Sequence, residues 1–181
     1  MVRTFISVDL PQEYHENISE IQSRLKNFNV KLLKPEFVHI TLKFLGEIDD
    51  DKVQKISNSL DKIDCEPFNA TIAKVGVFPK PKYPKVVWLG VEGDFKTLHK
   101  NVESLLKGFN FGEDNRKFSA HATIARVKRL PKKEKDLFLE TLDEIKDIEL
   151  GSMWVDTVKL KKSTLTHEGP IYETLHKVKL K

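Results

Sequence analysis

The hydrophobic pattern of the chain alternates between two periods. In some stretches apolar side chains recur at every second position, as in a strand with one buried face, and in others three or four positions apart, as in an amphipathic helix. The first pattern predicts strands over residues 3–10, 37–45, 68–78, 86–91, 119–127, 153–165 and 171–180. The second predicts one helix that begins at Pro11 and three more over residues 49–63, 95–109 and 131–145.

Prolines and glycines mark several connections between these segments. Residues 79–84 include three prolines, and because proline has no N–H for a strand ladder, we predict a loop here. Gly169 and Pro170 predict the turn between the last two strands. Neighbouring strands with short connections are typical of hairpins, so the mixed order of strands and helices predicts an α+β fold with mainly antiparallel sheets.

No linker divides the chain. It has no Gly/Ser-rich or Pro-rich tract and no long run of one charge, so residues 1–181 are predicted to form a single domain. The parts before and after residue 90 carry similar patterns, and we expect two similar lobes with a boundary near that residue, across which strands can exchange. With 181 residues, the chain is long enough for one compact core or for two small lobes that share one.

The composition is typical of a globular protein and gives no sign of export. Apolar residues make up 39% and charged residues 32%, a balance that disordered chains lack. No apolar run approaches the ~20 residues of a membrane span, and the first residues include neither a basic leader nor an apolar stretch of signal length. We therefore expect a cytoplasmic protein without a membrane partner and, by default, a monomer.

The cysteine and most of the histidines offer little chemistry. Cys65 is the single cysteine, so it cannot form an internal disulfide or a cysteine-based zinc site, and the acids on both sides of it raise the pKa of the thiol. Four histidines lie in charged helical segments or near the last hairpin without the spacing of metal ligands: His15, His99, His167 and His176. Because a closed zinc site needs four nitrogen or sulfur ligands, we expect no metal and no cofactor.

The net charge favours partners that carry phosphate. The formal charge is +4 and the pI about 9.0, which favours nucleotides or nucleic acid. The excess is small, since many lysines alternate with acids, as in residues 132–136, where a solvated helix face is the simpler interpretation. The lysine-rich segment 80–85 has two interpretations, a surface that grips RNA and an ordinary solvated loop.

Two short segments in different halves of the chain share one pattern. Residues 39–42 read His-Ile-Thr-Leu and residues 121–124 read His-Ala-Thr-Ile, and both lie in predicted strands. Since strand side chains alternate between faces, the histidine and threonine of each segment point to one side and the apolar residues to the core. A matched pair is more than this composition produces by chance. The candidate residues are His39, Thr41, His121 and Thr123.

Two histidines on facing strands provide what acid–base chemistry at phosphorus needs. If both strands line one cleft, one imidazole can remove a proton from the attacking group while the other protonates the leaving oxygen, and a histidine pKa of about 6.5 suits both tasks. Threonine hydroxyls can donate hydrogen bonds to the non-bridging oxygens, where charge builds in the transition state. A strained 2′,3′-cyclic phosphate can be opened in this way without a metal.

Two basic residues near these motifs are further candidates for binding the phosphate. Arg126 lies five residues after His121, and its guanidinium is a forked phosphate ligand. Strict alternation puts Arg126 on the face opposite His121, so this role requires a bulge or the end of the strand. Lys43 lies on the same face as His39 by alternation. For both basic residues, simple exposure to solvent stays open as the alternative.

These motifs resemble those of a known superfamily. Residues 39–46 and 118–126 are similar to the paired H-x-T-x motifs of the 2H phosphoesterases, and within that superfamily to the RNA 2′,3′-cyclic phosphodiesterases once called 2′-5′ RNA ligases. The first strand and the last hairpin are similar as well, so the resemblance covers the whole chain. The family often has proline where this chain has Ala120, a departure that affects backbone stiffness rather than chemistry.

The resemblance implies a bilobal fold with both histidines in a central cleft. It also implies hydrolysis of an RNA 2′,3′-cyclic phosphate end to a 2′-phosphomonoester, on a nucleotide or on RNA such as tRNA fragments. By analogy, His39 is the proton donor and His121 the proton acceptor, although the near symmetry of the motifs leaves the opposite assignment open. The same pair could also run the reverse reaction, 2′-5′ ligation, by microscopic reversibility.

Two alternatives without catalysis stay open. A module that binds RNA or nucleotides could keep the cleft for recognition alone, although the presence of both histidines and both threonines favours an enzyme. A structural interaction protein would carry the two motifs without using them. If replacing both histidines left every ligand interaction unchanged, this last alternative would be favoured.

Overall fold

The structure is a computed structural model that describes residues 1–112 and 116–181. The helices in this part of the chain are α1 (His15–Ser23), α2 (Asp50–Leu60), α3 (Phe95–Leu106) and α4 (Lys132–Ile145). The strands are β1 (Val2–Asp9), β2 (Val30–Leu32), β3 (His39–Ile48), β4 (Phe68–Lys80), β5 (Tyr83–Glu92), β6 (His121–Val127), β7 (Glu149–Val155), β8 (Thr157–Thr166) and β9 (Gly169–Lys179).

The strands of the described residues form one antiparallel sheet. Its order is β7-β4-β5-β6-β3-β1-β8-β9, and the short β2 also pairs with β6. Each of these strand pairs runs antiparallel. The predicted α+β class with a mainly antiparallel sheet is therefore confirmed. None of the described helices is long and apolar enough to cross a membrane.

The sheet consists of two halves that meet where β6 pairs with β3. One half contains β7, β4, β5 and β6, and the other contains β3, β1, β8 and β9. The ladder between β3 and β6 contains the register pair Ile40–Ala122, so the join is short compared with the ladders within each half. Strands from both parts of the chain contribute to each half, and the predicted division near residue 90 stays a prediction.

The helices pack on one face of the sheet. Helix α3 packs against β3, α4 against β4, α1 against β6 and α2 against β9. The apolar stripes that the helical periodicity predicted are buried in this layer, as Ile18, Ile56 and Leu98 illustrate. The opposite side of the sheet, called the open face below, carries the side chains considered for chemistry.

The proline-rich segment 79–84 is not the loop that its sequence predicted. Strand β4 continues to Lys80 and β5 begins at Tyr83, and Pro79 pairs with Pro84 next to a register shift. A bulge interrupts the regular ladder at this point, so the ladder does not require the N–H groups that the two prolines lack.

Three further boundaries differ from the sequence predictions. The predicted strand 153–165 is two strands, since β7 pairs with β4 and β8 pairs with β1, and a single residue, Asp156, separates them. The buried apolar positions change phase at this point, from Met153 and Val155 to Val158 and Leu160, and the single predicted strand overlooked this signal. The helix predicted from Pro11 starts as a 3₁₀ turn, Gln12–Tyr14, before α1. The three-residue strand β2 had no predicted counterpart, because it is too short to display a period.

Candidate active site

The two H-x-T motifs lie on either side of the join between the halves of the sheet. Ile40 of the first motif pairs with Ala122 of the second, and both are fully buried on the face that the helices cover. The histidine and threonine of each motif flank this pair, are half-buried and point to the open face: His39, Thr41, His121 and Thr123.

The antiparallel direction of β3 and β6 sets these four side chains in a compact group. Because Ile40 is opposite Ala122, His39 lies across from Thr123 and Thr41 lies across from His121. The two histidines are then diagonal neighbours on one face, a relation that typically separates two residues by about 7–8 Å and their Cβ atoms by somewhat less. This spacing leaves room for one phosphoryl group between the imidazoles.

Both imidazoles make the same hydrogen bond to the backbone. Nδ1 of His39 lies 2.7 Å from the carbonyl oxygen of Phe37, and Nδ1 of His121 lies 2.7 Å from that of Ser119. A carbonyl oxygen only accepts, so each Nδ1 carries the hydrogen and donates it. In the neutral form of each ring, Nε2 is therefore the atom that can take up a further proton.

Aromatic rings hold the imidazoles in place. The ring of Phe5 stacks on His39 with centroids 4.8 Å apart, and Tyr172 of β9 meets His39 edge-on at 5.2 Å. Phe78 meets His121 edge-on at 4.9 Å. Such contacts restrict the side-chain rotation of both histidines, which keeps their Nε2 atoms in defined positions.

A β-bulge brings Arg126 to the open face. The ladder between β5 and β6 skips Ile124, and both Ile124 and the next residue, Ala125, are buried. Alternation therefore resumes one residue late, and Arg126 is exposed on the same face as Thr123. Its charge is close enough to act on the imidazole of His39. This bulge is the irregularity that a phosphate-binding role for Arg126 requires.

A matching bulge in β3 has the opposite effect on Lys43. The ladder between β1 and β3 skips Leu42, so Lys43 pairs with Ile6, whose side chain is buried beneath the helices. The Nζ of Lys43 lies 2.8 Å and 2.9 Å from the carboxylate oxygens of Glu103 in α3, and the lysine side chain is only 8% exposed. The prediction that Lys43 lies on the face of His39 was wrong, because the bulge shifts the alternation.

Phe44 takes the place in β3 that Arg126 takes in β6. Each lies five residues after the histidine of its motif and just beyond the bulge. Phe44 pairs with Phe5, their ring centroids are 6.3 Å apart, and Phe44 is 63% exposed. Phe44 was not among the candidates that the sequence pattern indicated. The signal that could have identified Phe44 is its spacing from His39, which equals the spacing of Arg126 from His121. This spacing puts both residues on the open face only if each motif contains a bulge.

Two lysines and a carboxylate next to His39 were also missed. Asp9 in β1 is directly across from His39, and its carboxylate accepts hydrogen bonds from Lys159, at 2.6 Å, and from Lys161. Lys161 lies opposite Phe5 on the open face, with its side chain 8% exposed. Two ammonium groups share one carboxylate, so the group has a net positive charge beside His39.

Burial lowers the pKa of His39 to about 4. Removal of the ring from water is the largest cause, and the positive charges of Lys161 and Arg126 act in the same direction. The hydrogen bond to Phe37 and the charge of Asp9 act against them. His39 is therefore neutral at pH 7 in the ligand-free protein, and it must gain a proton before it can donate one.

Lys161→Met is expected to raise the pKa of His39. The substitution removes a positive charge and leaves Asp9 less neutralised, and both changes favour the imidazolium; burial persists, so the pKa stays below that of an exposed histidine. NMR titration of the imidazole protons measures this pKa. Lys162→Met is the matched control, because the neighbouring lysine pairs with Glu173 instead. An unchanged midpoint in Lys161→Met would contradict the assigned charge effect.

The other histidines lie in different environments. The ring of His99 stacks on Phe118 at 4.1 Å, and Nε2 of His176 lies 2.7 Å from a carboxylate oxygen of Asp61. His167 is exposed at the β8–β9 turn. Among residues 1–112 and 116–181, no three histidine, cysteine or acidic side chains come together in a group that could hold a metal ion.

A cavity of about 760 Å³ adjoins His121. It is lined by Ser119, whose carbonyl oxygen holds the ring of His121, and by Gly90, which pairs with His121 in the β5–β6 ladder. Lys96 and Lys117 add positive charge to its wall. Its volume is in the range of pockets that take a nucleotide-sized ligand.

Comparisons with known proteins give matches that cover nearly the whole chain. The sequence model of the family described as LigT like Phosphoesterase matches residues 8–88 and 90–172. The chain is 38% identical over 185 aligned positions to the RNA 2′,3′-cyclic phosphodiesterase of Methanothermobacter thermautotrophicus, covering 99% of both chains. It is 34% identical to the protein of the same name from Methanocaldococcus jannaschii, covering 96% of this chain and 98% of that one.

A solved structure supports the fold. The crystal structure of Escherichia coli LigT complexed with 3′-AMP superimposes with a TM-score of 0.78 over 99% of this chain and 98% of that chain, at 24% identity. At this identity the likeness concerns the fold alone.

Proposed function

Because this chain belongs to the LigT-like phosphoesterase family, we propose that it hydrolyses RNA 2′,3′-cyclic phosphate ends, including those of tRNA fragments, to 2′-phosphomonoesters. The observation that carries the proposal is that both H-x-T motifs and Arg126 point to one face at the join of the sheet. Relatives that match nearly the full chain are named RNA 2′,3′-cyclic phosphodiesterases.

In the proposed reaction, water attacks phosphorus in line with the departing 3′ oxygen. His121 takes a proton from the water on Nε2, and His39 gives a proton from Nε2 to the 3′ oxygen. The bond between phosphorus and the 3′ oxygen breaks, and the phosphate stays on the 2′ oxygen. Each imidazole ends in the protonation state with which the other began, so protons balance over the step.

The remaining polar side chains stabilise charge on the phosphate. The hydroxyls of Thr41 and Thr123 donate to the non-bridging oxygens, and the guanidinium of Arg126 binds them in a forked geometry. The exposed ring of Phe44 offers a surface on which the terminal base can stack. Lys43 has no role in this proposal, since its ammonium group is bound by Glu103.

The pKa of His39 bears on which imidazole is the donor. At a pKa of about 4, the free protein holds His39 neutral at pH 7, which is the state of an acceptor. The donor role requires the bound phosphate to raise this pKa, and an anion beside the ring acts in that direction. In the alternative assignment His39 is the acceptor, which is the state that the free protein already holds.

We further propose that the reaction needs no metal. Arg126 and the imidazolium supply positive charge at the positions where a metal would stabilise the phosphoryl oxygens. The expected 2′-5′ ligation is not the reverse of this hydrolysis: the 5′-hydroxyl of a second RNA replaces water as the nucleophile, its proton goes to the acceptor histidine, and the 3′ oxygen leaves with a proton from the donor, so the same two histidines would serve.

The test is product analysis after incubation with an RNA oligonucleotide that ends in a 2′,3′-cyclic phosphate, in excess chelator. We expect a 2′-phosphate. A 3′-phosphate would keep the two-histidine chemistry but would mean that the bond between phosphorus and the 2′ oxygen breaks. Binding without turnover would favour the alternative, a non-catalytic module that binds RNA or nucleotides in the same cleft. Activity lost in chelator and restored by a divalent metal would overturn the metal-free mechanism.

A further inference from the structure

A tyrosine surrounded by lysines lies at the tip of the β4–β5 hairpin. The side chain of Tyr83 is 55% exposed. The ammonium groups of Lys80, Lys82 and Lys135 lie 5.7, 5.8 and 4.9 Å from the centroid of its ring. Each contact is a cation–π interaction, and together they gather three positive charges around one accessible aromatic ring. These four residues are called the Tyr83 cluster.

Carboxylates do not neutralise this cluster within the part of the chain that the structure describes. None of its three lysines forms an ion pair there, whereas lysines elsewhere do, such as Lys74 with Glu92 and Lys159 with Asp9. Like charges held close together repel each other, and an anionic ligand would remove that repulsion. The cluster is therefore electrostatically suited to a polyanion.

The cluster lies beyond the end of the cleft that Arg126 occupies, where Lys135 reaches Tyr83 from α4 on the covered side of the sheet. In the β5–β6 ladder Val86 is opposite Arg126, and Tyr83 is three residues before Val86 on the same strand. The bulge at Lys85 shortens this advance, because Val86 pairs with Phe78 and Tyr83 pairs with Lys80, two residues further along β4. At about 3.3 Å per residue, Tyr83 lies about 7 Å beyond Arg126 along the sheet. On the other side of β6, Lys31 is also opposite Arg126, so positive charge continues across this end of the cleft.

From this placement we propose that the Tyr83 cluster binds the RNA strand on the 5′ side of the cyclic phosphate. The inference rests on the proposed function. A nucleotide with a cyclic phosphate at its 2′ and 3′ oxygens continues into RNA through its 5′ oxygen, so the rest of the strand must leave the cleft over the adjoining surface. A base stacks on Tyr83 and the lysines contact the flanking phosphates, a combination that suits single-stranded RNA of any sequence.

This surface makes RNA ends better substrates than free cyclic nucleotides. A cyclic mononucleotide fills the site at the histidines but does not reach Tyr83, whereas an oligonucleotide engages both. The cluster therefore deepens the proposed function by naming the surface that selects RNA ends over free cyclic nucleotides, and it predicts that this preference depends on residues outside the cleft.

The first test compares two substrates in two charge-matched variants. Lys80→Ala/Lys82→Ala/Lys135→Ala is expected to lower kcat/KM for an RNA oligonucleotide ending in 2′,3′-cyclic phosphate by about tenfold or more at low salt, since three phosphate contacts are lost. Its kcat/KM for a cyclic mononucleotide stays unchanged. The control variant loses the same charge from exposed lysines on or next to α2: Lys52→Ala/Lys55→Ala/Lys62→Ala.

The aromatic ring has a test of its own. Tyr83→Ala is expected to lower kcat/KM on the oligonucleotide by about tenfold, within the range that stacked bases show, while Tyr83→Phe keeps the ring and retains activity. Equal loss in Tyr83→Phe and Tyr83→Ala would contradict stacking.

Binding separates this inference from the proposed reaction. Fluorescence anisotropy with a labelled RNA that ends in a 2′-phosphate requires no turnover, and the triple variant of the cluster should reduce the slope of log affinity against log salt by about 2. RNA binding equal to that of the control variant, or equal losses of activity on both substrates, would overturn the role of the cluster. If the wild-type protein turned over neither substrate, the reaction would be wrong, and RNA binding would still decide the role of Tyr83.

Discussion

Replacing either His39 or His121 with alanine should lower kcat/KM for an RNA 2′,3′-cyclic phosphate by about 10² to 10⁴, the range that positioned acids and bases supply. The proposed reaction transfers one proton at each Nε2, and the Nδ1 bonds to Phe37 and Ser119 hold both rings in the orientation for that transfer. Initial-rate kinetics with purified variants measure the loss.

His167→Ala is the control for a histidine substitution, because His167 is exposed at a turn and should retain full activity. The double variant of His39 and His121 should be little worse than either single variant, since groups that act as a unit are not additive. Thermal unfolding checks that each variant is folded. Full activity in a folded variant that lacks either motif histidine would rule out the two-histidine mechanism.

Arg126→Ala should lower kcat/KM by about 10² to 10³, the cost of removing one strong donor from a charge that develops in the transition state. Arg126→Lys should recover little, because an ammonium group is a point charge without the forked donors of guanidinium. The loss should be the same on the RNA oligonucleotide and on the cyclic mononucleotide, since Arg126 acts at the phosphate. That equality distinguishes Arg126 from the Tyr83 cluster.

Lys43→Ala is the matched control for Arg126, because both are basic residues just after a motif and only one reaches the open face. The substitution leaves the carboxylate of Glu103 without its partner from β3, so we expect a lower melting temperature with kcat nearly unchanged. A selective loss of kcat in Lys43→Ala at unchanged thermal stability, together with full activity in Arg126→Ala, would reverse the two roles.

The motif geometry gives the cleft two unlike sides. The strands carry the same histidine, threonine and bulge, but the residue after each bulge is Arg126 in β6 and Phe44 in β3. A phosphate in the cleft therefore has the cationic side chain of Arg126 on one side of the join and the aromatic ring of Phe44 on the other. This difference orients a nucleotide in a cleft whose two strands are otherwise nearly symmetric.

The sequence by itself determined the fold class and the centre of the candidate site. Periods of two and of three to four residues identified most strands and helices, and alternation correctly assigned Ile40 and Ala122 to the core. The resemblance that the two motifs carry to the 2H phosphoesterases is confirmed by the family match. These inferences succeed because each depends on neighbours in sequence, for which side-chain direction follows from local geometry.

Only the tertiary structure decided which of the basic residues belong to the open face. Two bulges, at Leu42 and at Ile124, turn Lys43 toward α3 and Arg126 toward the histidines. A bulge exists only relative to a partner strand, so a pattern read along one strand does not contain it.

The tertiary structure also decided which charged side chains lie beside His39. Asp9 and Lys161 are 152 positions apart, and they meet because β1 pairs with β3 on one side and with β8 on the other. The resulting low pKa of His39 depends on burial and on these long-range neighbours. Pairing between distant strands is set by the packing of the whole sheet, and this is why the proton affinity of His39 could not be predicted from the residues around it in sequence.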